Sequence, residues 1–164
     1  MSDSITILRS RGLRMAKLWK VDGTIEPYAN ARHFTAEQAV VDDIHDLSDL
    51  LARLEHEPSA CIVRAVPKPE APMPLRRLLE NFEDHPLHTV LIEVDQYRPL
   101  FSDALDGEAA ALEYIAEHLP PEFGGASFHW QLSNSAGAPG KEGLFKGHIW
   151  MWIDTPYDSA TLHG

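Results

Sequence analysis

Apolar and polar positions alternate through much of the second half of this chain. In Leu87–Asp95, Val90, Ile92 and Val94 share one parity, and Leu91, Glu93 and Asp95 share the other. In Ser127–Ser133, Phe128, Trp130 and Leu132 oppose Ser127, His129, Gln131 and Ser133. In Leu144–Ile153, Phe145, Ile149, Met151 and Ile153 oppose Lys146, His148, Trp150 and Trp152. A period of two predicts strands with one face in a core and the other turned away from it. Between the first two strands, Asp106–Leu119 carries Leu112, Ile115, Ala116 and Leu119 at helical spacing, and Pro120-Pro121 stops it. Asn134–Gly143 is rich in Gly, Ala, Ser and Pro and reads as a loop, and Thr155-Pro156 reads as the start of a further helix.

The first half carries weaker patterns. Strands are expected at Ser4–Leu8 and Leu18–Val21, the second meeting an Asp22-Gly23 turn and a third strand from Thr24. Arg32–Val41 fits either an extended or a helical segment. Asp46 is the expected N-cap of a helix with Leu47, Leu50, Leu51 and Leu54 on one stripe, and Ala60–Val66 reads as a buried strand. Residues 67–74 hold four prolines in eight positions and read as an extended connector. The expected organisation is a single domain over 1–164, with an N-terminal α/β part over 1–66, the connector, and a back part over 75–164. Strand, helix, strand, strand is the first two-thirds of a ferredoxin-like unit. The fold class expected is thus α+β: an RRM-like (ferredoxin-like) open sheet with helices on one face, preceded by a smaller β-rich part.

Length and composition agree with a globular chain: 164 residues, 44% hydrophobic and 24% charged. One cysteine, Cys61, excludes an intrachain disulfide framework and any multi-cysteine zinc site, and its apolar neighbours suit a buried, inert thiol. No apolar run approaches the roughly 20 residues that span a bilayer, and the N-terminus has no apolar signal region. A cytoplasmic protein with no membrane partner is expected. The net charge of -11 argues against bulk attraction to polyanions, yet residues 1–20 hold five basic side chains against one acid. Arg9, Arg11 and Arg14 are therefore candidates for guiding a DNA template, unless they only solvate an amphipathic strand pair.

Candidate chemistry concentrates on the polar strand faces. In a ferredoxin-like unit the first and third strands are antiparallel neighbours, so Glu93 and Asp95 would lie beside Lys146 and His148. Two carboxylates two residues apart share a face and suit Mg²⁺ or Mn²⁺ as hard oxygen ligands. A cation and an imidazole beside them would hold a nucleotide's phosphates, which points to metal-assisted phosphoryl chemistry. Other motifs fail. Gly137–Glu142 is too short for a P-loop and has Glu142 where Ser or Thr would bind magnesium; His56-Glu57 runs into Pro58 rather than completing HExxH.

Leu91-Ile92-Glu93-Val94-Asp95 and the run Lys146–Asp154 resemble archaeo-eukaryotic-type primases, or primase-polymerases, in the versions carried by phages, plasmids and integrated elements. The family's first motif is a hydrophobic run ending acid-x-acid, and its second is a short polar-x-His at the start of a strand. The resemblance covers residues 87–156 best. It implies DNA-templated nucleotidyl transfer, in primer synthesis or polymerisation, with two divalent metals on Glu93 and Asp95. It also implies His148 on the incoming nucleotide's phosphates, with Lys146 beside it. Ser133-Asn134-Ser135 through Gly143 is similar to the Ser- and Gly-rich loop before that histidine, which makes Ser133 and Ser135 nucleotide-binding candidates.

Nucleoside triphosphates, a DNA template, and a helicase or C-terminal region of a longer polypeptide are the partners implied. Three positions depart from the pattern. Glu93 stands where the family usually has Asp, and Lys146 where it has a small polar residue. The third motif, a hydrophobic residue followed by an acid, has only Ile153-Asp154 to match it, close behind the second. Asp154 is accordingly the candidate third metal ligand. The alternative is a non-catalytic RRM-like module that binds nucleic acid or protein through a degenerate site.

Overall fold

The structure, a computed structural model, describes residues 2–29 and 31–163. Along the chain run β1 (Asp3–Ser10), β2 (Leu18–Trp19), β3 (Ile25–Glu26), β4 (Phe34–Val41), α1 (Ile44–Leu54), β5 (Ala60–Val63) and β6 (Val66–Pro67). Then come β7 (Phe82–Glu83), β8 (Leu87–Tyr97), α2 (Gly107–His118), β9 (Phe128–Leu132), β10 (Phe145–Tyr157) and α3 (Ser159–His163). The architecture is mixed α+β, with several small antiparallel sheets. No helix among the described residues is long and apolar enough to cross a membrane. Two compact units form, one from residues 1–17, 27–89 and 153–164 and the other from 18–26 and 90–152.

In the first unit β1 is the middle strand of the order β4-β1-β5, antiparallel to both neighbours, with Ile7 opposite Glu37 and Ile62. Ile5, Thr6, Ile7 and Leu8 are all buried, so both faces of β1 are covered and the strand reads as a continuous apolar run. Helix α1 buries Leu47, Leu50 and Leu51, the expected stripe. Its N-cap is Asp43, however, and not Asp46. The Asp43 carboxylate accepts from the amides of His45 and Asp46 at 2.8 and 3.0 Å, while Asp46 sits in the first turn and accepts from the Asp42 amide. The apolar stripe starts one turn inside the helix, which hid the true start.

The strand expected over Ala60–Val66 breaks after Val63, where Thr6 Oγ1 donates to the Ala65 carbonyl. Residues 67–74 lie within this unit, and Leu75 returns to pair with Phe34. Leu8, Phe34, Ala65, Leu75 and Phe82 form its core beside the proline-rich stretch. No helix starts at Thr155-Pro156. Strand β10 continues to Tyr157, and Pro156 lies past Met151, the last residue paired with β9. Helix α3 follows, its Ser159 amide donating to Asp84 and its Thr161 amide to Asp158.

In the second unit β10 is central in the order β8-β10-β9 and antiparallel to β9, with Ile149 opposite Trp130. Val94, Tyr97, Ile115, Phe145, Ile149 and Met151 form the core. Helix α2 lies over it with Gly107, Ala110, Ala111 and Ile115 buried. The expected face is met in part: Ile115 is buried and Leu119 packs against the core, but Leu112 is 46% exposed and Ala116 is exposed. Small residues make up most of the buried stripe, and Trp130 fills the space against the first turn. A Cβ on Gly107 would come within 2.2 Å of that indole. On another side of α2, Glu113 accepts hydrogen bonds from the amides of Leu100, Phe101 and Ser102 and from the Ser102 hydroxyl, fastening the loop after β8. The β2-β3 hairpin turns at Asp22-Gly23 as expected, Asp22 accepting from the Thr24 amide at 2.9 Å.

Candidate functional site

The alternation of β8 and β10 carries four ionisable side chains to adjoining positions in the second unit. Lys146 Nζ donates to the Asp95 carboxylate at 2.9 Å and to the Asp95 carbonyl at 2.5 Å. Two residues further along β10, His148 Nε2 lies 3.9 Å from Glu93 Oε1. Residue numbers rise on one strand as they fall on the other, so β8 and β10 run antiparallel here.

Exposure divides the four. Glu93 and Asp95 side chains are 70% and 82% exposed, His148 is 39% exposed, and Lys146 only 9%. The lysine stem is buried and its ammonium emerges beside the carboxylate. That hydrogen bond is the main reason the Asp95 carboxyl titrates below the ordinary carboxylate value of 3.8, helped by the charge of Lys146 and, more weakly, by His148 and Lys141. The charge of Lys141 thus also reaches Asp95, an effect that no strand parity predicts. Lys141 lies in the glycine-rich loop, in the stretch set aside as a failed P-loop.

That loop begins at the same place. The Ser133 amide donates to the Lys146 carbonyl at 2.8 Å, and the Ser133 and Ser135 hydroxyls are 3.1 Å apart. The loop then proceeds through successive tight turns closed by the amides of Ala136, Ala138, Lys141 and Leu144. Between Lys146 and His148, Gly147 has no room for a side chain. A Cβ there would come 2.7 Å from the Gln131 carbonyl and 3.1 Å from the Phe145 ring. Glycine therefore lets β9 and the core ring close up behind the two cationic positions.

The remaining candidates lie elsewhere. Asp154 is exposed on the part of β10 that belongs to the first unit. Among the described residues no three His, Cys, Asp or Glu side chains are grouped to hold a metal. Trp150 is 7% exposed and Trp152 half-buried, so neither indole of the polar parity stands open as a stacking platform. In the first unit, Arg9 is held between Glu37 and Glu57, the latter 2.9 Å from its Nε. Arg14 donates to the Pro27 carbonyl, and Arg11 is exposed. Arg9 is thereby paired with two carboxylates.

Compared with protein-family models, with curated proteins and with solved structures, the chain matches none.

Proposed function

We propose that the second unit binds a nucleoside triphosphate for DNA-templated nucleotidyl transfer of the primase-polymerase kind. One observation carries this reading: Glu93-Val94-Asp95 on β8 lies against Lys146-Gly147-His148 on β10, two acids facing a lysine and a histidine across two strands. The strand order β8-β10-β9, with α2 between the first two strands in sequence, supports a ferredoxin-like arrangement of this unit.

The donor set suits a hard divalent cation. Mg²⁺ is commonly held by one or two carboxylates, with phosphate oxygens and water completing the octahedron, so Glu93 and Asp95 suffice without a third protein ligand. Bound there, Mg²⁺ or Mn²⁺ would neutralise triphosphate charge and favour ionisation of the attacking 3′-hydroxyl. The protein's own groups do the positioning. Lys146 keeps Asp95 ionised and oriented. His148 and Lys141 present cationic or hydrogen-bonding groups to phosphate oxygens, and Ser133 and Ser135 offer hydroxyls at the loop entrance.

A second reading is favoured by the Lys146–Asp95 ion pair, which engages one of the two carboxylates from within the protein. On that reading the face is a non-catalytic RRM-like module with a degenerate site. Calorimetric titration of a nucleoside triphosphate with Mn²⁺ separates the two, using wild type and Glu93→Ala/Asp95→Ala. Metal-dependent binding that disappears in the double variant supports the triphosphate site. No binding to wild type, or binding unchanged in the variant, selects the module.

A further inference from the structure

Three cations of this acid-rich chain stand against carboxylates. Arg9 has Glu37 and Glu57, Lys20 has Glu26, and Lys146 has Asp95. With 25 acidic residues against 14 basic, carboxylate partners are plentiful. One cleft in the first unit instead gathers three cations on one wall. It measures about 790 Å³ and is lined by Arg64, Lys68 and Arg77 with Leu78, Leu79 and Phe82, three cations against the two acids Glu80 and Asp84.

None of its three cations has an ion-pair partner among the described residues. Arg64 is half-buried between β5 and β6. Its Nη1 donates to Ser159 Oγ at 3.1 Å and its Nη2 to the Tyr157 carbonyl at 3.3 Å, both neutral acceptors, and its Nε is buried with no acceptor at all. A guanidinium removed from water without a carboxylate is costly, and an anion entering the cleft would relieve that cost. The side chains of Lys68 and Arg77 make no hydrogen bond or ion pair among the described residues. Two carboxylates act on Arg64 from a distance: Asp84, which already accepts from the Ser159 and Ala160 amides at the start of α3, and Asp3, which is taken up by His88 and Thr89.

The rest of the wall is apolar. Leu79 is 89% exposed and Leu78 38%, beside the buried Phe82 ring. Exposed leucines next to unpaired cations suit a ligand with an anionic end and a flat, weakly polar body. The cleft falls within the size range of small-ligand sites, roughly 300–1,000 Å³, so it would admit one such unit.

We propose that this cleft binds a nucleoside phosphate. Its phosphate oxygens meet Arg64, Lys68 and Arg77, in the fork geometry that guanidinium groups offer to phosphate. Its base lies against Leu78, Leu79 and Phe82. A free nucleotide and the terminal nucleotide of a single strand present the same chemistry. The inference is independent of the triphosphate face of the second unit.

The test is equilibrium binding of a fluorescent nucleoside monophosphate in EDTA, where metal-dependent binding at Glu93 and Asp95 is absent. Unlabelled inorganic phosphate, nucleoside monophosphate and a 5′-phosphorylated trinucleotide serve as competitors. Wild type should bind, and Lys68→Ala/Arg77→Ala should weaken binding about tenfold or more, since charge-assisted contacts are lost. Both substituted side chains lack protein partners, so the variant should keep its fold, checked by circular dichroism. Arg64→Lys should weaken binding too, because one ammonium cannot replace the fork.

Competition by the monophosphate alone would identify a free nucleotide as the occupant; equal competition by the trinucleotide would identify a strand end. Inorganic phosphate competing as strongly as the nucleotide would overturn the assignment of a base site. Absence of binding, or a folded double variant that binds like wild type, would overturn the proposal. Glu93→Ala/Asp95→Ala should leave this binding unchanged, so failure of the triphosphate reading and failure of this one are separately visible.

Discussion

Lys146 and Asp95 are joined across β10 and β8 by a 2.9 Å ion pair in which the lysine is nearly buried and the aspartate almost fully exposed. The two partners therefore have unequal costs of removal. Deleting Asp95 leaves a buried-stem ammonium with only a backbone carbonyl, whereas Lys146→Met removes the charge and keeps an apolar stem in place. Asp95→Ala should thus destabilise more than Lys146→Met in urea denaturation. A double-mutant cycle should give a coupling of about 1 kcal/mol, between the values for exposed and buried pairs. A coupling near zero would show that the contact does not hold Asp95.

The polar faces of β8 and β10 were legible because a period of two sorts side chains without reference to partners. Glu93, Asp95, Lys146 and His148 could therefore be placed on facing parities from the sequence. Lys141 could not, because the path of a glycine-rich loop is set by its turns and not by any repeat. The buried face of α2 was misread in part. Leu112 and Ala116 fit a hydrophobic stripe, but the helix buries Ala110 and Ala111 instead, and Trp130 lies against Gly107. The burden on Arg9 was equally hidden, since Glu37 and Glu57 are distant in sequence and meet it only through β4 and the turn before β5. The cleft around Arg64 is assembled from segments between residues 63 and 84 with Ser159, a separation no local pattern reports.

Asp3 anchors the start of β1 to the start of β8. Its carboxylate accepts from the amides of His88 and Thr89 at 3.0 and 2.8 Å and from His88 Nδ1 at 2.9 Å. With three donors converging on it, Asp3 is ionised and Nδ1 carries the proton. Burial alone would raise the Asp3 carboxyl, but the hydrogen bonds from His88 and Thr89 outweigh it and hold it below 3.8. A group with a depressed folded-state value contributes its full stabilisation above the unfolded value and loses it as pH falls through the folded one. Asp3→Ala should cost about 3 kcal/mol at pH 7, leaving buried donors unmatched. The gap between wild type and variant in urea midpoints should shrink as pH drops below 3.8. A gap independent of pH would mean that the carboxylate's charge is not what the donors bind.

Gly107 opens α2 and Trp130 lies across it, so two opposite effects meet at one position. Alanine is the better helix former by up to about 1 kcal/mol, less at a helix end than in its middle. Against that, an added Cβ would stand 2.2 Å from the Trp130 ring, far inside contact distance, and both the helix and β9 are held by the same core. Overpacking of this kind typically costs about 1–3 kcal/mol, so the steric effect wins and Gly107→Ala should destabilise the protein. In a Trp130→Leu background the obstruction is gone and the same substitution should become neutral or mildly stabilising. Chemical denaturation of the four proteins gives the sign directly: a Gly107→Ala loss that persists without the tryptophan would place its cause in the backbone of the helix start and not in the indole.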